Sequence, residues 1–223
     1  MPAHSDAAVI DAWSRNTDPW TAAVRGGEIA SRVLVTNAAI VAAVRAHAPR
    51  TGVDLGCGEG WLVRELAEVA MVGVDASAGL VEQARLAGGG EFRQLSYEDV
   101  AAGRLQLAAD VAVCNFSLIG DDAVRGLLRA TPSYLRPGGH LIVQTVHPLM
   151  ACGDAPYVDG WRDGSWAGFS SAFADAAPWY FRTVASWVAL FVDCDLELAE
   201  LREPLDPRTG KPASLILVGR LPP

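Results

Sequence analysis

The residues with the clearest chemical potential form a short run, Asp54-Leu55-Gly56-Cys57-Gly58-Glu59-Gly60, between a brief apolar stretch and an amphipathic one. Glycines at alternate positions let the backbone approach a ligand closely, because no Cβ stands in the way. A helix starting at Trp61 would add its unpaired N–H groups to the same place. Asp75 lies 19 residues beyond Gly56, at the end of the next apolar stretch. A carboxylate there can accept both hydroxyls of a ribose. Together the turn and the acid point to a nucleoside-containing ligand. Each alone has an ordinary explanation, the turn as a strand-to-helix connection and Asp75 as a helix N-cap.

Two classes of nucleoside cofactor share this layout. A dinucleotide fingerprint, G-x-G-x-x-G, needs its third glycine at position 61, where the chain carries Trp61. The spacing found is G-x-G-x-G, with Asp54 ahead of it. Near a cofactor's polar tail, an extra carboxylate repels pyrophosphate but suits an ammonium group, directly or through water. The pattern favours a nucleoside that carries an amino acid; an NAD-dependent oxidoreductase stays open as the alternative.

The elements that must position these residues follow from periodicity. Residues 1–50 read as helical, with Val33, Leu34, Ile40, Val41 and Val44 at helical spacing and Pro49 as the stop. Short apolar strands at 52–55, 71–75, 91–95, 110–114 and 140–146 then alternate with helices at 61–69, 78–86, 98–105 and 121–135. Pro137-Gly138-Gly139 reads as a turn before the fifth strand. Such alternation predicts parallel βαβ units, hence an α/β, Rossmann-like doubly wound sheet with helices on both faces. In such sheets ligands bind at the carboxyl ends of strands where the strand order reverses. A last helix at 183–192 and a strand pair at 196–202 and 215–221 close the chain.

On these residues the chain resembles the class I S-adenosylmethionine-dependent methyltransferases. Residues 53–60 are similar to their first motif, Val72-Gly73-Val74-Asp75-Ala76-Ser77 to their second-strand motif, and Asp110-Val111-Ala112-Val113-Cys114-Asn115-Phe116 to their fourth strand. Residues 135–143 resemble the turn and fifth strand of the small-molecule branch. Trp179-Tyr180-Phe181-Arg182-Thr183 and Glu203-Pro204 are similar to the end of the ubiquinone- and biotin-pathway-like group, with Cys194-Asp195-Leu196 replacing the usual Gly-Phe. The resemblance implies a seven-stranded sheet with an antiparallel seventh strand. It implies S-adenosylmethionine as cofactor, S-adenosylhomocysteine as product, and transfer to an oxygen, nitrogen or carboxyl of a small metabolite. It places Gly56, Cys57 and Gly58 on the methionine part, Asp75 on the ribose and Ala76 beside the adenine. Ser96 and Tyr97 fall where relatives read the adenine amine, with Glu98 and Asp99 as the nearest carboxylates. Asn115 and Phe116 fall beside the transferable methyl. A protein that keeps the pocket without turnover is the second alternative.

Three further groups of residues carry chemical options. Pro148 biases His147 towards extended geometry, at the end of the fifth strand, where it could act as a base or shape the loop. The N-terminal segment, 1–48, carries Trp13, Trp20, Arg25 and Arg32, and reads as a helical lid. One arginine, Arg32 foremost, could clamp the cofactor's carboxylate while Trp20 closes over it. Residues 148–180 lack clean periodicity, yet eight of the seventeen aromatics fall between Tyr157 and Phe181. A segment so long and so aromatic reads as a substrate cover. Its acids, Asp154, Asp159, Asp163 and Asp175, would suit a cationic or planar substrate.

Composition bounds these readings. The 223 residues are 51% hydrophobic and 20% charged, which fits one globular domain spanning 1–223. A formal net charge of −8 opposes phosphate backbones and anionic lipid, so neither nucleic acid nor membrane is an expected partner. Cys57, Cys114, Cys152 and Cys194 form no C-x-x-C pair, so no metal is expected. The start, Met1 to Asp6, lacks a basic stretch before an apolar run, and a cytoplasmic location with reduced thiols is expected. Nothing in the sequence fixes an oligomeric state.

Overall fold

Side chains that alternate between two cores build the central sheet. In strand β4 (Ala109–Asn115), Val111 and Val113 face one core while Ala112 and Cys114 face the other. In β5 (Leu135–Thr145), Ile142 joins the first core and Leu141 and Val143 the second. Strands buried on both faces need helices on both. Helices α3 (Asn37–Arg45), α4 (Trp61–Glu65) and α5 (Ala78–Ala87) cover one face. Helices α6 (Tyr97–Ala101), α7 (Asp122–Arg129) and α9 (Val184–Val192) cover the other. With β1 (Thr51–Leu55), β2 (Ala70–Asp75), β3 (Glu91–Gln94), β8 (Glu197–Arg202) and β9 (Leu215–Arg220), the order is β3-β2-β1-β4-β5-β9-β8. The first five strands are parallel; β9 enters antiparallel between β5 and β8. The expected doubly wound sheet is therefore the one that forms. Its order reverses between β1 and β4, which opens a crevice at their carboxyl ends. This computed structural model describes residues 4–223; Met1, Pro2 and Ala3, part of the stretch searched for a secretory signal, lie outside the described residues.

Several local expectations shift. The helix expected over 121–135 stops at Arg129, and a 3-10 turn, Thr131–Ser133, leads straight into β5. Pro137-Gly138-Gly139 sits inside that strand rather than before it. Gly138 takes φ +76°, and the pairing with β4 slips between Ala109 and Val111, so the glycines form a bulge. The helix expected over 61–69 ends at Glu65. At the α9–β8 connection Asp195 takes φ +57°, the left-handed conformation that usually favours glycine. The aperiodic stretch 148–180 contains a one-turn helix, α8 (Pro148–Ala151), and one strand of a hairpin, β6 (Gly160–Arg162). Its partner, β7 (Trp179–Phe181), pairs Tyr180 with Trp161. Strands of three residues are too short to leave a period-two signal.

Helices α1 (Asp6–Arg15) and α2 (Thr17–Arg25) are fastened to this hairpin region and to α7. The Asp6 carboxylate accepts the N–H groups of Asp121 and Ala123 at 2.8 and 3.0 Å, capping α7 from another element. Asn16, fully buried, donates to the Ala174 carbonyl at 2.7 Å and accepts the Ala174 N–H at 2.8 Å. Trp13 meets Trp166 and Trp20 edge-on, with centroids 5.6 and 4.8 Å away. Among the described residues no helix is long and apolar enough to cross a membrane. Asn16→Ala removes both bonds to Ala174, so a stability loss of about 1–3 kcal/mol is expected in denaturant unfolding. Amide exchange across 165–178 should also speed up; unchanged exchange there would show that Asn16 does not hold the segment.

Candidate functional site

The turn after β1 is built so that only glycine fits. Gly56 takes φ +79°, and a Cβ on it would lie 2.3 Å from the Ser117 Cβ and 2.8 Å from the Tyr97 hydroxyl. Its N–H and that of Cys57 donate to the Val74 carbonyl at 2.7 and 2.9 Å. The Gly58 N–H donates to Asp75 Oδ2 and the Ser77 N–H to Asp75 Oδ1, each at 2.9 Å. Asp75 thus locks the turn to the start of α5. The N–H groups of Gly56, Cys57 and Gly58 are already paired, and so is the Cys57 carbonyl, which accepts the Gly60 N–H at 3.0 Å, so the turn offers a ligand chiefly the bare Cα surface of its glycines. Beyond them opens a partly open cavity of about 130 Å³.

One end of this crevice concentrates unpaired charge. Asp54 is 2% exposed and its Oδ1 has no partner. Burial first, then the charge of Asp75, pushes its carboxyl up to about 7, against the pull of Arg32. Asp75 is also raised by burial, opposed by the backbone N–H groups of Ser77, Gly58 and Ala76. A π-helical turn, Arg32–Thr36, sets Arg32 in the cavity wall, where its guanidinium lies 5.7 Å from the Trp20 ring and 4.9 Å from that of Trp61. Burial lowers Arg32 to about 10, while Glu59 and Asp54 raise it. Its Nη2 has no partner, nor has Oε1 of the buried Glu59, whose Oε2 takes Arg25 at 2.8 Å and Arg64 at 2.6 Å. Orphaned acceptors on Asp54 and Glu59 beside an orphaned donor on Arg32 match the ammonium and carboxylate of an amino acid.

Of the residues singled out from sequence, Trp20, Arg32, Gly56, Cys57, Gly58, Asp75, Ala76, Tyr97, Asn115 and Phe116 all line this cavity. Asp54 lies outside the wall, buried among the charges just described. Ser96 is not in the wall either: it caps α6 in a capping box with Asp99. Glu98, one position beyond Tyr97, lines the cavity instead. His147 sits at the end of β5 with extended geometry, φ −64° and ψ 121°. It is buried, its Nε2 lies 2.7 Å from Glu203, and it lines neither cavity described here. Sequence reasoning passed over Glu59 and Ile10 in the wall. The first stands inside the glycine motif, and the second carried no chemical signal.

A second cavity, of about 350 Å³, adjoins the first, sharing Trp13, Phe116 and Ile119 in its wall. Phe116 stands at the junction with φ +55°, a strained state for a bulky residue, its N–H donating to the Gln144 carbonyl at 2.7 Å. Trp166, Trp179, Tyr180, Phe181 and Trp187 line the rest with small residues and Arg182. The acids of the cover face elsewhere: Asp163 takes His4 at 2.8 Å, Asp175 lies 3.5 Å from Arg15, and Asp159 accepts the Thr183 N–H at 2.9 Å.

We propose that Asp54 meets the cofactor's ammonium, directly or through water, which would make binding a proton-linked event. An ammonium ligand needs the carboxylate, so below about pH 7 the proton on Asp54 must leave before binding. Calorimetry should find affinity for S-adenosylhomocysteine falling about fivefold from pH 7 to pH 6, with proton release. Asp54→Asn should bind more weakly at pH 8 and lose that slope; a variant with the wild-type slope would show that Asp54 is not the linked group. In the ligand-free protein the raised carboxyl adds stability below its unfolded value near 4, and this fades as pH rises through about 7. Asp54→Asn should therefore be the more stable ligand-free protein at pH 8, and thermal unfolding checks it.

Comparison with known proteins agrees with this geometry. Residues 30–192 match the model of a methyltransferase domain family. No protein of curated function matches the sequence. Among solved structures, an S-adenosylmethionine-dependent methyltransferase from Mesorhizobium loti is 24% identical, with TM-score 0.60, covering 80% of this chain and 95% of that one. The Burkholderia thailandensis 1,6-didemethyltoxoflavin-N1-methyltransferase, solved with 1,6-didemethyltoxoflavin and S-adenosylhomocysteine, is 15% identical with TM-score 0.65, covering 94% and 88%. A chain from the Haloferax volcanii complex of the Trm112 methyltransferase activator with a methyltransferase is 20% identical, with TM-score 0.64, covering 96% and 98%. The sheet order, the glycine turn with its aspartate and the family match converge: the chain belongs to the class I S-adenosylmethionine-dependent methyltransferases.

Proposed function

We propose that the second cavity receives the methyl acceptor, and that the acceptor is a small molecule methylated on oxygen, nitrogen or a carboxyl group. The wall shared through Trp13, Phe116 and Ile119 carries this reading, because an acceptor seated there borders the place where a cofactor's methyl would lie. The cofactor supplies an electrophilic methyl on a sulfonium. Arg32, Asp54 and Glu59 would hold its amino-acid end and Asp75 its ribose. The turn at Gly56–Gly58 would let it approach the backbone, and Ala76, Tyr97 and Glu98 would border the adenine. Phe116 and Asn115 would fix the methyl's side of the crevice. The aromatic wall would then exclude water and hold the acceptor in line, and orientation of this kind can contribute up to roughly 7–11 kcal/mol.

The Burkholderia neighbour, whose description names a small heterocycle, lends this acceptor class support by analogy. All four cysteines are buried and unbonded, which suits the proposed cytoplasmic location. We assign the N-terminal helices and the 148–180 segment to one cover over both cavities, fastened through Asn16 and Trp13.

Incubating the protein with methyl-labelled cofactor and a metabolite extract should place label on a small molecule. Ala177→Trp, which fills the second cavity, should keep S-adenosylhomocysteine affinity within about twofold and lower transfer about a hundredfold. Label found only in protein or nucleic acid, or no label at all, would contradict the proposal.

A further inference from the structure

The second cavity has an unusual electrical character for a pocket so near a cationic sulfonium. Among the described residues its wall holds no carboxylate, histidine, lysine or cysteine. Tyr180 and Arg182 are the only ionisable side chains among the described residues of that wall. His147, at the end of β5, lies outside this wall, its Nε2 against Glu203 and its Nδ1 buried without a partner. An acceptor seated here finds no side chain to deprotonate it.

The fixed charges around the wall are guanidiniums. Arg182 has its side chain 1% exposed, 4.6 Å from the Tyr180 ring and 5.2 Å from that of Trp187. Arg162, outside the wall, lies 3.6 Å from the Phe181 ring and 5.6 Å from that of Trp179. Four of the rings that face the cavity are thus backed by cations, which draw density from them and favour an electron-rich guest. The counter-charge is thin. Arg182 donates to Asp121 Oδ1 at 2.8 Å, but Arg125 shares that same oxygen at 3.0 Å. Asp159 acts on Arg182 only at longer range and already holds the Thr183 N–H. Arg162 has only carbonyl partners, on Cys152 and Pro156. The Arg182 Nε is buried with no partner at all.

Resting on the assignment of this cavity as the acceptor site, we propose that the enzyme selects a flat aromatic oxyanion, a carboxylate or an acidic phenolate, and methylates its ionised oxygen without a protein base. The oxygen's lone pair forms the new C–O bond while the C–S bond breaks, its electron pair staying on sulfur. Anion and sulfonium become two neutral products, and no proton needs a destination. Charge shrinks towards the transition state, so a dry aromatic wall favours the step. Arg182 and Arg162 act here as specificity-determining residues.

The test uses 2-naphthoate and its uncharged isostere 2-naphthamide, titrated by calorimetry into the protein saturated with S-adenosylhomocysteine at pH 7.5. Naphthoate should bind about tenfold or more tightly than the amide. Arg162→Gln should narrow that ratio several-fold, and Ala177→Trp, folded as judged by retained S-adenosylhomocysteine binding, should abolish both. Equal or better binding of the amide, with both probes lost in Ala177→Trp, overturns the anion selectivity while leaving the acceptor cavity standing. Binding of either probe unaffected by Ala177→Trp, or of neither probe to the wild type, overturns it too; label transfer to a small molecule then tells separately whether the acceptor reading also falls.

Discussion

Two carboxylates, Asp54 buried behind the crevice and Asp75 half-buried in its wall, organise the site by how their charge is answered. Asp75 is answered by backbone: the N–H groups of Gly58 and Ser77 hold its two oxygens, and in doing so fix the glycine turn. Asp54 has no such support and faces only the field of Arg32. Arg32 is itself incompletely paired, stacked between Trp20 and Trp61 with a free Nη2. Without a ligand the balance is poor, because a buried charge lacking a hydrogen-bonded partner is costly. In the proposed assignment, an adenosyl amino acid would complete it from both signs at once.

The same constraint ties the N-terminal helices to the rest of the molecule. Arg25 on α2 reaches Glu59 behind the turn, and Asp6 on α1 caps α7 in the wall of the first cavity. Asn16 joins the two helices to Ala174 in the aromatic segment. If the proposed cover encloses both ligands, exchange of either would loosen contacts that border both cavities. The aromatic rings of that cover contribute area, and the guanidiniums over them add a positive field, of the same sign as the cofactor's sulfonium, that the proposed anionic acceptor would answer.

Much of this was legible from residue spacing, for a physical reason. The turn and Asp75 are local: glycine at Gly56 is required by its positive φ and by Ser117, and a strand's length fixes where Asp75 emerges. The sheet was legible because residues buried on both faces leave continuous apolar runs. Long-range pairings were not. Arg32 was one of several candidate arginines, since a π-helical turn has no signature that sequence periodicity detects. Ser96 was placed at the adenine although its hydroxyl and Asp99 satisfy each other in a capping box. The acids of the cover suggested a cation-binding face, yet three of them meet His4, Arg15 and the Thr183 N–H instead. The extended geometry at His147 followed from Pro148, but its partner, Glu203, lies 56 residues away in sequence.

The account's central claim is that the amino-acid end of the cofactor completes a buried charge set. Comparing S-adenosylhomocysteine with methylthioadenosine, which keeps the nucleoside but lacks that end, measures it directly. Two charge-assisted contacts at the reported scale predict affinity lower by about a hundredfold or more for methylthioadenosine. Equal affinity for the two nucleosides would mean that Asp54, Glu59 and Arg32 answer one another and not the ligand.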